Sequence, residues 1–581
     1  MPGSVDRRHL IAVARGDEEP DLVVTGARVF SAFTREWLDC DVAVAGGRIA
    51  GLGDYAGGER VDASGRYLVP GFIDAHMHVE SSKLTVAEFA RIVLAHGTTA
   101  IVCDPHEIAN VLGTDGVHWL LDACEGVPLD VFVMASSCVP ASPFESPRRP
   151  FTLGDMESIL RRRRTLGIAE MMNFPAVIAG AESELAKLAL GARADGHAPG
   201  VVGKPLNAYL AAGISSDHEA FTYAEALEKR RKGVWVLIRE ASNARNLRDL
   251  IPLVLEHGPE HTAFCSDDLE PDELLRRGHI NNMARIAVEL GVAPEDAILL
   301  SSTHPALCHG LDGLGVIAPG YHADFMVLPD LVSFRPETVF KDGRPVFADG
   351  AVAHFAAPAV PLWVRHSVRA APLGLSQLRV PSTGADIRVI GIIPEQLITN
   401  ALVLAPTVVD GVAVADPARD LAKIAVVERH HATGRVGLGF VHGFGLTRGA
   451  FATTVAHDAH NIVVVGTSDA DMALCVTRLG EIGGGIVAFA ENQLLAELPL
   501  PVAGLMSDRP AAEVVARLDT LVAVLADLGV RINAPFMTLS FLALSVIPSL
   551  KITDHGLIDV DAFAVVPLEV GGGAPRDTAA T

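Results

Sequence analysis

Two histidines separated by a single residue, His76 and His78, end the apolar run Val69-Pro70-Gly71-Phe72-Ile73-Asp74-Ala75. Side chains alternate along an extended chain, so both imidazoles face the same side. Two neutral nitrogen donors presented together are half of a divalent metal site. Four more ligand types stand at the ends of later apolar runs: Glu170 in Ile168-Ala169-Glu170-Met171, His197 in Asp195-Gly196-His197, His218 in Ser216-Asp217-His218 and Asp267 in Cys265-Ser266-Asp267-Asp268. Any one of them alone reads as a satisfied polar group or a helix cap. Six together are different, because four histidines and two carboxylates left unpaired desolvate badly, whereas two divalent cations neutralise them and bind the deprotonated forms. In that arrangement Glu170 bridges, His76, His78 and Asp267 complete one metal, and His197 and His218 complete the other. Metal coordination brings the pKa of a water from about 15.7 to near 7. Asp267 then stands where a general base is needed, taking a proton from the attacking water and passing it to a leaving nitrogen.

The elements that must hold these residues follow from hydrophobic patterning. Eight strand-like runs alternate with helix-length segments: Leu68 to His76, Thr98 to Asp104, Asp130 to Ser136, Gly167 to Met171, Ala192 to His197, Gly213 to His218, Gly233 to Arg239 and Thr262 to Asp267. Val86 to Ala95, Asp155 to Leu166, Tyr223 to Arg231 and Arg245 to His257 have the apolar spacing of the intervening helices. Strand alternating with helix predicts a parallel sheet, and eight such units predict an α/β fold of the closed (β/α)8, TIM-like kind, with its chemistry at the carboxyl ends of the strands. Short strands on both sides, Leu22 to Phe30 and Val42 to Leu52 before and Phe325 to Leu328 and Pro345 to Phe347 after, predict a small β-sheet domain built from both flanks. The Pro- and Ala-rich stretch Ala356 to Pro372 reads as a linker, and the last ten residues as a disordered tail. A separate C-terminal α+β domain follows the linker. The expected division is 1–66, 67–312, 313–372 and 373–581.

Composition narrows the function. A chain of 581 residues exceeds one hydrophobic core, and no apolar run approaches the ~20 residues that cross a bilayer. Met1 to Pro20 lacks the pattern of a secretory signal, and the seven cysteines form no CxxC pair, so a cytoplasmic protein without a disulfide framework is expected. A net charge of −23 argues against nucleic acid as a partner. The one basic run, Arg161 to Arg164, fans around a helix as a solvated face. Gly483 to Gly485 allow close backbone approach but lack the continuation of a phosphate loop. His457-Asp458-Ala459-His460-Asn461 reads either as a polar turn with a side-chain cap or as a loop that reaches the barrel mouth, closing over a substrate or holding an extra metal.

The His-x-His after Pro-Gly-Phe-Ile-Asp, the later strand-end histidines and the terminal aspartate resemble the amidohydrolase superfamily. Within it the chain is similar to the bacterial adenine deaminase family. That closer likeness rests on residues 74–82, on Asp104-Pro105-His106-Glu107-Ile108-Ala109-Asn110-Val111, on Glu170-Met171-Met172-Asn173-Phe174-Pro175, on residues 195–200 and 216–219, and on Gly443-Phe444-Gly445-Leu446, Ala456 to Asn461 and Gly483 to Gly485. It runs from about residue 20 to about 570 of the 581. The resemblance implies hydrolysis of adenine to hypoxanthine and ammonia, a binuclear centre of Mn2+ or Fe2+ with Zn2+ also compatible, a small-molecule purine as partner, and a homodimer or larger homo-oligomer. A ring nitrogen must gain a proton as C6 is attacked; His197 is followed by Ala-Pro-Gly, without the glutamate found there in some relatives, which leaves Glu80, His106, Glu107 and Glu219 as candidates. Ala241, where glycine is expected, and the Pro147 to Pro150 loop depart from the pattern. Two alternatives remain: another amidohydrolase acting on a different aminopurine or a cyclic amide, which typically bridges its metals with a modified lysine where this chain has Glu170, and a non-catalytic purine-binding protein.

Overall fold

The computed structural model describes residues 6–191, 193–394 and 396–571. Eight parallel strands form the centre: β1 (Phe72–Met77), β2 (Thr98–Cys103), β3 (Asp130–Ala135), β4 (Thr165–Met171), β5 (Arg193–Gly196), β6 (Ser216–Asp217), β7 (Trp235–Arg239) and β8 (Thr262–Cys265). β1 to β5 pair in sequence order, as do β6 to β8. Two parallel bridges, Ala194 with Ile214 and Met77 with Asp267, close these sheets on each other as a barrel. The second is a seam of the future site, where the Asp267 N–H donates to the His76 carbonyl at 3.0 Å.

Three expected elements differ. The run Leu68 to His76 is two strands: Tyr67–Pro70 belongs to the flanking sheet and only Phe72–Met77 to the barrel. Gly71 separates them, its N–H bonded to the Asp324 carbonyl at 3.0 Å. The expected helix Asp155 to Leu166 is shorter, Leu153–Leu160, because a capping box between Thr152 and Asp155 starts it earlier. Arg161 to Arg164 therefore lie in the turn into β4 and not around a helix; Arg164 reaches Asp130 at 3.3 Å. β6 is two residues long, where the pattern suggests Gly213 to His218.

The flanks form two sheets and not one: Leu22–Thr25, Val42–Ala45 and Arg48–Leu52 join Glu59–Asp62 in a four-stranded sheet, and strands from both flanks meet in a second, seven-stranded sheet. Strand Tyr67–Pro70 pairs with Arg28–Ser31 on one side and Phe325–Leu328 on the other. After it, residues 356–372 are not a free linker: Val364 is fully buried and its carbonyl accepts from the Ala503 N–H at 2.9 Å. The C-terminal part is an eight-stranded sheet whose centre is Leu421–Val427, Ile462–Gly466 and Ala450–Thr453, with helices Asp469–Ile482 and Ala511–Asp527 packed against it. Gly484 sits where a Cβ would lie 2.5 Å from the Gly504 Cα, which accounts for the glycines there. This part docks on the barrel mouth through Ser507, whose N–H donates to the Lys83 carbonyl at 2.8 Å, and through Ser142 and Ser545, whose hydroxyls are 2.6 Å apart. The tail beyond residue 571 lies outside the described residues. Among the described residues no helix is long and apolar enough to cross a membrane.

A Cβ on Gly71 would fall 2.3 Å from Thr99 Oγ1 and 2.6 Å from its Cγ2, on a buried, β-branched side chain that cannot swing aside. Gly71→Ala is expected to cost about 1 to 3 kcal/mol, read as a drop in thermal midpoint; an unchanged midpoint contradicts this account of the junction.

Candidate metal centre

The barrel delivers its six candidates to one place because each sits at the carboxyl end of a strand or just beyond it: His76 in β1 and His78 just after it, Glu170 in β4, His197 after β5, His218 after β6, Asp267 after β8. All six are at most 6% exposed. Glu170 is the hub. Its Oε1 lies 3.7 Å from His76 Nε2 and 3.4 Å from His78 Nε2, and its Oε2 lies 3.4 Å from His218 Nε2 and 2.6 Å from His197 Nδ1. Asp267 Oδ1 is 3.4 Å from His78 Nε2. The spacings of 3.4 to 3.7 Å are longer than good hydrogen bonds. They match the edge of a tetrahedral shell, about 3.4 Å for bonds of ~2.1 Å. His76 Nε2 and Glu170 Oε1 have no hydrogen-bond partner although both are buried, which is costly for polar atoms that no cation satisfies. Donor sets His76, His78 and Glu170; Glu170, His197 and His218; and His76, His218 and Asp267 each converge to within 4.8 Å. The donor chemistry fits a divalent metal centre around Glu170. His197 departs from the pattern, being at direct hydrogen-bond distance from Glu170.

Neighbouring groups fix this set. The His78 Nδ1 atom faces the Asp104 carbonyl at 2.9 Å, leaving Nε2 turned inward. Asp74 accepts from the Ser266 N–H at 3.1 Å and pairs with His279 at 2.9 Å, tying β1 to β8 behind the site. Burial disfavours the Glu170 carboxylate, yet the hydrogen bond with His197 and the nearby His218 hold it well below the usual range. Burial and the nearby His218 hold His76 well below the imidazole range, so it stays neutral.

Arg239, the last residue of β7, is the functional neighbour that patterning overlooks. Its guanidinium donates to both oxygens of Glu219 and, through Nη1, to Asp267 Oδ2 at 2.8 Å. Its position at a strand end was the available signal. Burial again opposes the Asp267 charge, and His78 and Arg239 overcome it, holding the carboxylate well below its ordinary range. Of the ring-proton candidates, Glu219 is thus tied by both oxygens and His106 by Nδ1 to Asp104 at 3.0 Å. Glu107 accepts from Ser81 Oγ at 2.8 Å. Glu80 takes the Ile108 N–H on Oε1 at 3.2 Å and leaves Oε2 without a partner; burial raises its carboxyl. The loop 457–461 reaches the barrel mouth: His106 Nε2 is 3.6 Å from Asp458 Oδ1 and Glu107 Oε1 is 3.3 Å from His457 Nδ1. It is also a capped turn, since the Ala456 N–H donates to His460 Nδ1 at 3.0 Å. A cleft of about 690 Å³ runs from solvent to Glu219 and Arg239, between residues 242–246 of the barrel and residues 396–398 and 532–536 of the C-terminal part.

Arg239→Met leaves the buried Glu219 and Asp267 without their shared cation. In metal-free protein it is expected to lower the unfolding free energy by about 3 to 5 kcal/mol in denaturant titrations. A loss under ~1 kcal/mol would mean that water already screens the pair.

Residues 67–346 match the amidohydrolase family and residues 396–564 the adenine deaminase C-terminal domain. The chain is 44% identical over 97% of its length to adenine deaminase 2 of Carboxydothermus hydrogenoformans, 99% of which is covered. It is 46% identical over 96% of its length to the adenine deaminase of Cereibacter sphaeroides, again with 99% covered. Among solved structures, a β-aspartyl dipeptidase from Fervidobacterium islandicum AW-1 overlays 58% of this chain and 98% of its own at 18% identity and a TM-score of 0.43. With whole-length relatives at this identity and both halves matched, the chain belongs to the adenine deaminase family of amidohydrolases.

Proposed function

We propose that this protein hydrolyses adenine to hypoxanthine and ammonia at a binuclear divalent metal centre. The observation that carries the reading is Glu170, a buried carboxylate faced on both oxygens by imidazole nitrogens of His76, His78, His197 and His218, in a chain whose whole-length relatives are adenine deaminases. These five residues and Asp267 would hold the two ions, Mn2+ or Fe2+, with Zn2+ also suited to the donor set. The bound pair supplies the positive charge that makes a water acidic near neutral pH and offsets negative charge developing on the substrate.

The remaining steps belong to the chain. The purine enters through the cleft that ends at Arg239 and Glu219. Asp267, ionised and aimed by Arg239, takes the proton of the water that attacks C6 and returns it to the exocyclic nitrogen, which leaves as ammonia. The electrons pushed into the ring are absorbed when a ring nitrogen is protonated, and we assign that proton to Glu80, which recovers one from the new C6 hydroxyl as ammonia leaves and the carbonyl forms. Burial raises the Glu80 carboxyl and leaves one of its oxygens without a partner; Glu107 shares both features but is engaged by Ser81 and faces His457, while Glu219 has both oxygens on Arg239 and His106 has its Nδ1 on Asp104.

Ammonia release from adenine by protein loaded with Mn2+ is the direct assay. Asp267→Asn is expected to lower kcat by at least about 10²-fold, and Glu80→Gln by ~10²-fold with the metal content of the parent retained. Turnover of another aminopurine or of a cyclic amide, with adenine inert, rejects the substrate. A Glu80→Gln enzyme of parental kcat rejects the donor alone.

A further inference from the structure

A second cluster lies beside the first and takes half its donors from the C-terminal part. His106 and Glu107 begin the helix His106–Leu112 after β2, and His457 and Asp458 come from the loop that follows strand Ala450–Thr453. All four are at most 2% exposed. His106 is oriented by its Nδ1 contact with Asp104, 3.0 Å away, and Asp104 is itself fixed by Ser136 Oγ at 2.8 Å. This is the carboxylate–imidazole arrangement that leaves Nε2 as a metal donor.

From His106 Nε2 it is 3.6 Å to Asp458 Oδ1; from there 3.7 Å to His457 Nδ1; and from that nitrogen 3.3 Å to Glu107 Oε1. These separations are again too long for strong hydrogen bonds and close to the ~3.4 Å edge of a tetrahedral shell. Glu107 Oε2, Asp458 Oδ2 and His457 Nε2 are buried without any hydrogen-bond partner. Among the described residues neither Glu107 nor Asp458 pairs with a lysine or arginine; histidines are their only ionic partners. Two buried carboxylates so placed need a cation or a proton each. One donor atom each from His106, Glu107 and His457 falls within 4.8 Å of the others, the span of a single ion and too small for a purine. The cleft by which a purine enters is lined by none of the four.

We propose that His106, Glu107, His457 and Asp458 bind one further divalent cation, separate from the pair around Glu170, which fastens the C-terminal loop to the barrel mouth. Two histidines and two carboxylates suit a first-row ion such as Mn2+, Fe2+ or Zn2+ better than Ca2+ or Mg2+, which take oxygen ligands. The site needs no particular substrate, so it stands or falls apart from the deaminase reading.

The test is an ion count. Full-length protein is stripped of metal, reloaded with Mn2+ without adenine, desalted and measured by mass spectrometry of the metal against protein concentration. About three Mn2+ per chain are expected, falling to about two in His457→Asn and in Glu107→Gln. Glu107→Gln preserves side-chain size and gives the answer if His457→Asn fails to fold. A count that neither substitution lowers by about one ion per chain, whatever the parent's total, overturns the proposal.

Discussion

The structure is organised around the burial of one carboxylate. Glu170 stands at the barrel mouth with imidazoles on both oxygens and, among the described residues, no lysine or arginine paired with it. Removing such a group from water costs several kcal/mol even after relaxation, which the surrounding imidazoles offset by holding the carboxylate well below its usual range. Divalent charge serves the same end, and the barrel makes the arrangement repeatable: the strands hold backbone positions by hydrogen bonds, so the directions of His76, His78, Glu170, His197 and His218 are set before any ion arrives. The seam at β1 and β8 matters most, because the bond from Asp267 to His76 joins two of the donor residues directly.

Charge is then graded outward. Arg239 stabilises Glu219 and Asp267 on the side where the cleft opens. Further around the mouth, Lys229 is fully buried between Asp217 and Glu225, each at 2.7 Å, and fixes the segment that carries His218. Cations supplied by the chain thus flank the site toward β6 and β7. On the side toward β2, the carboxylates Glu107 and Asp458 have none.

Much of this was legible in the sequence because strand ends are a simple address. His76, His78, Glu170, His197, His218 and Asp267 were found by asking which ligand types end apolar runs, and the fold needs nothing more to bring them together. The same rule reaches Arg239, but an arginine is not a metal ligand and its value lies in two partners 20 and 28 residues away. Local signals misjudged continuity more than identity. Gly71 cuts one apolar run into strands of two sheets, because only the register with Asp324 and Thr99 shows that the chain changes sheets there. Arg161 to Arg164 seem to prolong a helix that the capping box at Thr152 had already started and spent. The docking of Val364 and Ser507 rests on contacts between distant segments, to which periodicity is blind.

The C-terminal part is more than a cover. Its loop 457–461 places His457 against Glu107 and Asp458 against His106, and His106 Nδ1 is also 3.6 Å from Glu170 Oε1. A displacement of this loop is therefore felt at the hub carboxylate through one imidazole. Glu145 adds to the crowding: it accepts the Ala459 N–H at 3.3 Å, and burial together with Asp458 pushes its carboxyl up to about 8. Burial raises the Glu107 carboxyl in the same way, so three carboxyl groups crowd this side of the mouth against two imidazoles. Glu107 and Asp458 face His457, which burial lowers, and His106, which, against its burial, Asp104 and Asp458 raise well above the imidazole range. A barrel alone, without the loop, would expose His106 and Glu107 to water and relieve the imbalance. Joining the two parts creates it, and ties the geometry at Glu170 to the seating of a domain some 280 residues further along the chain.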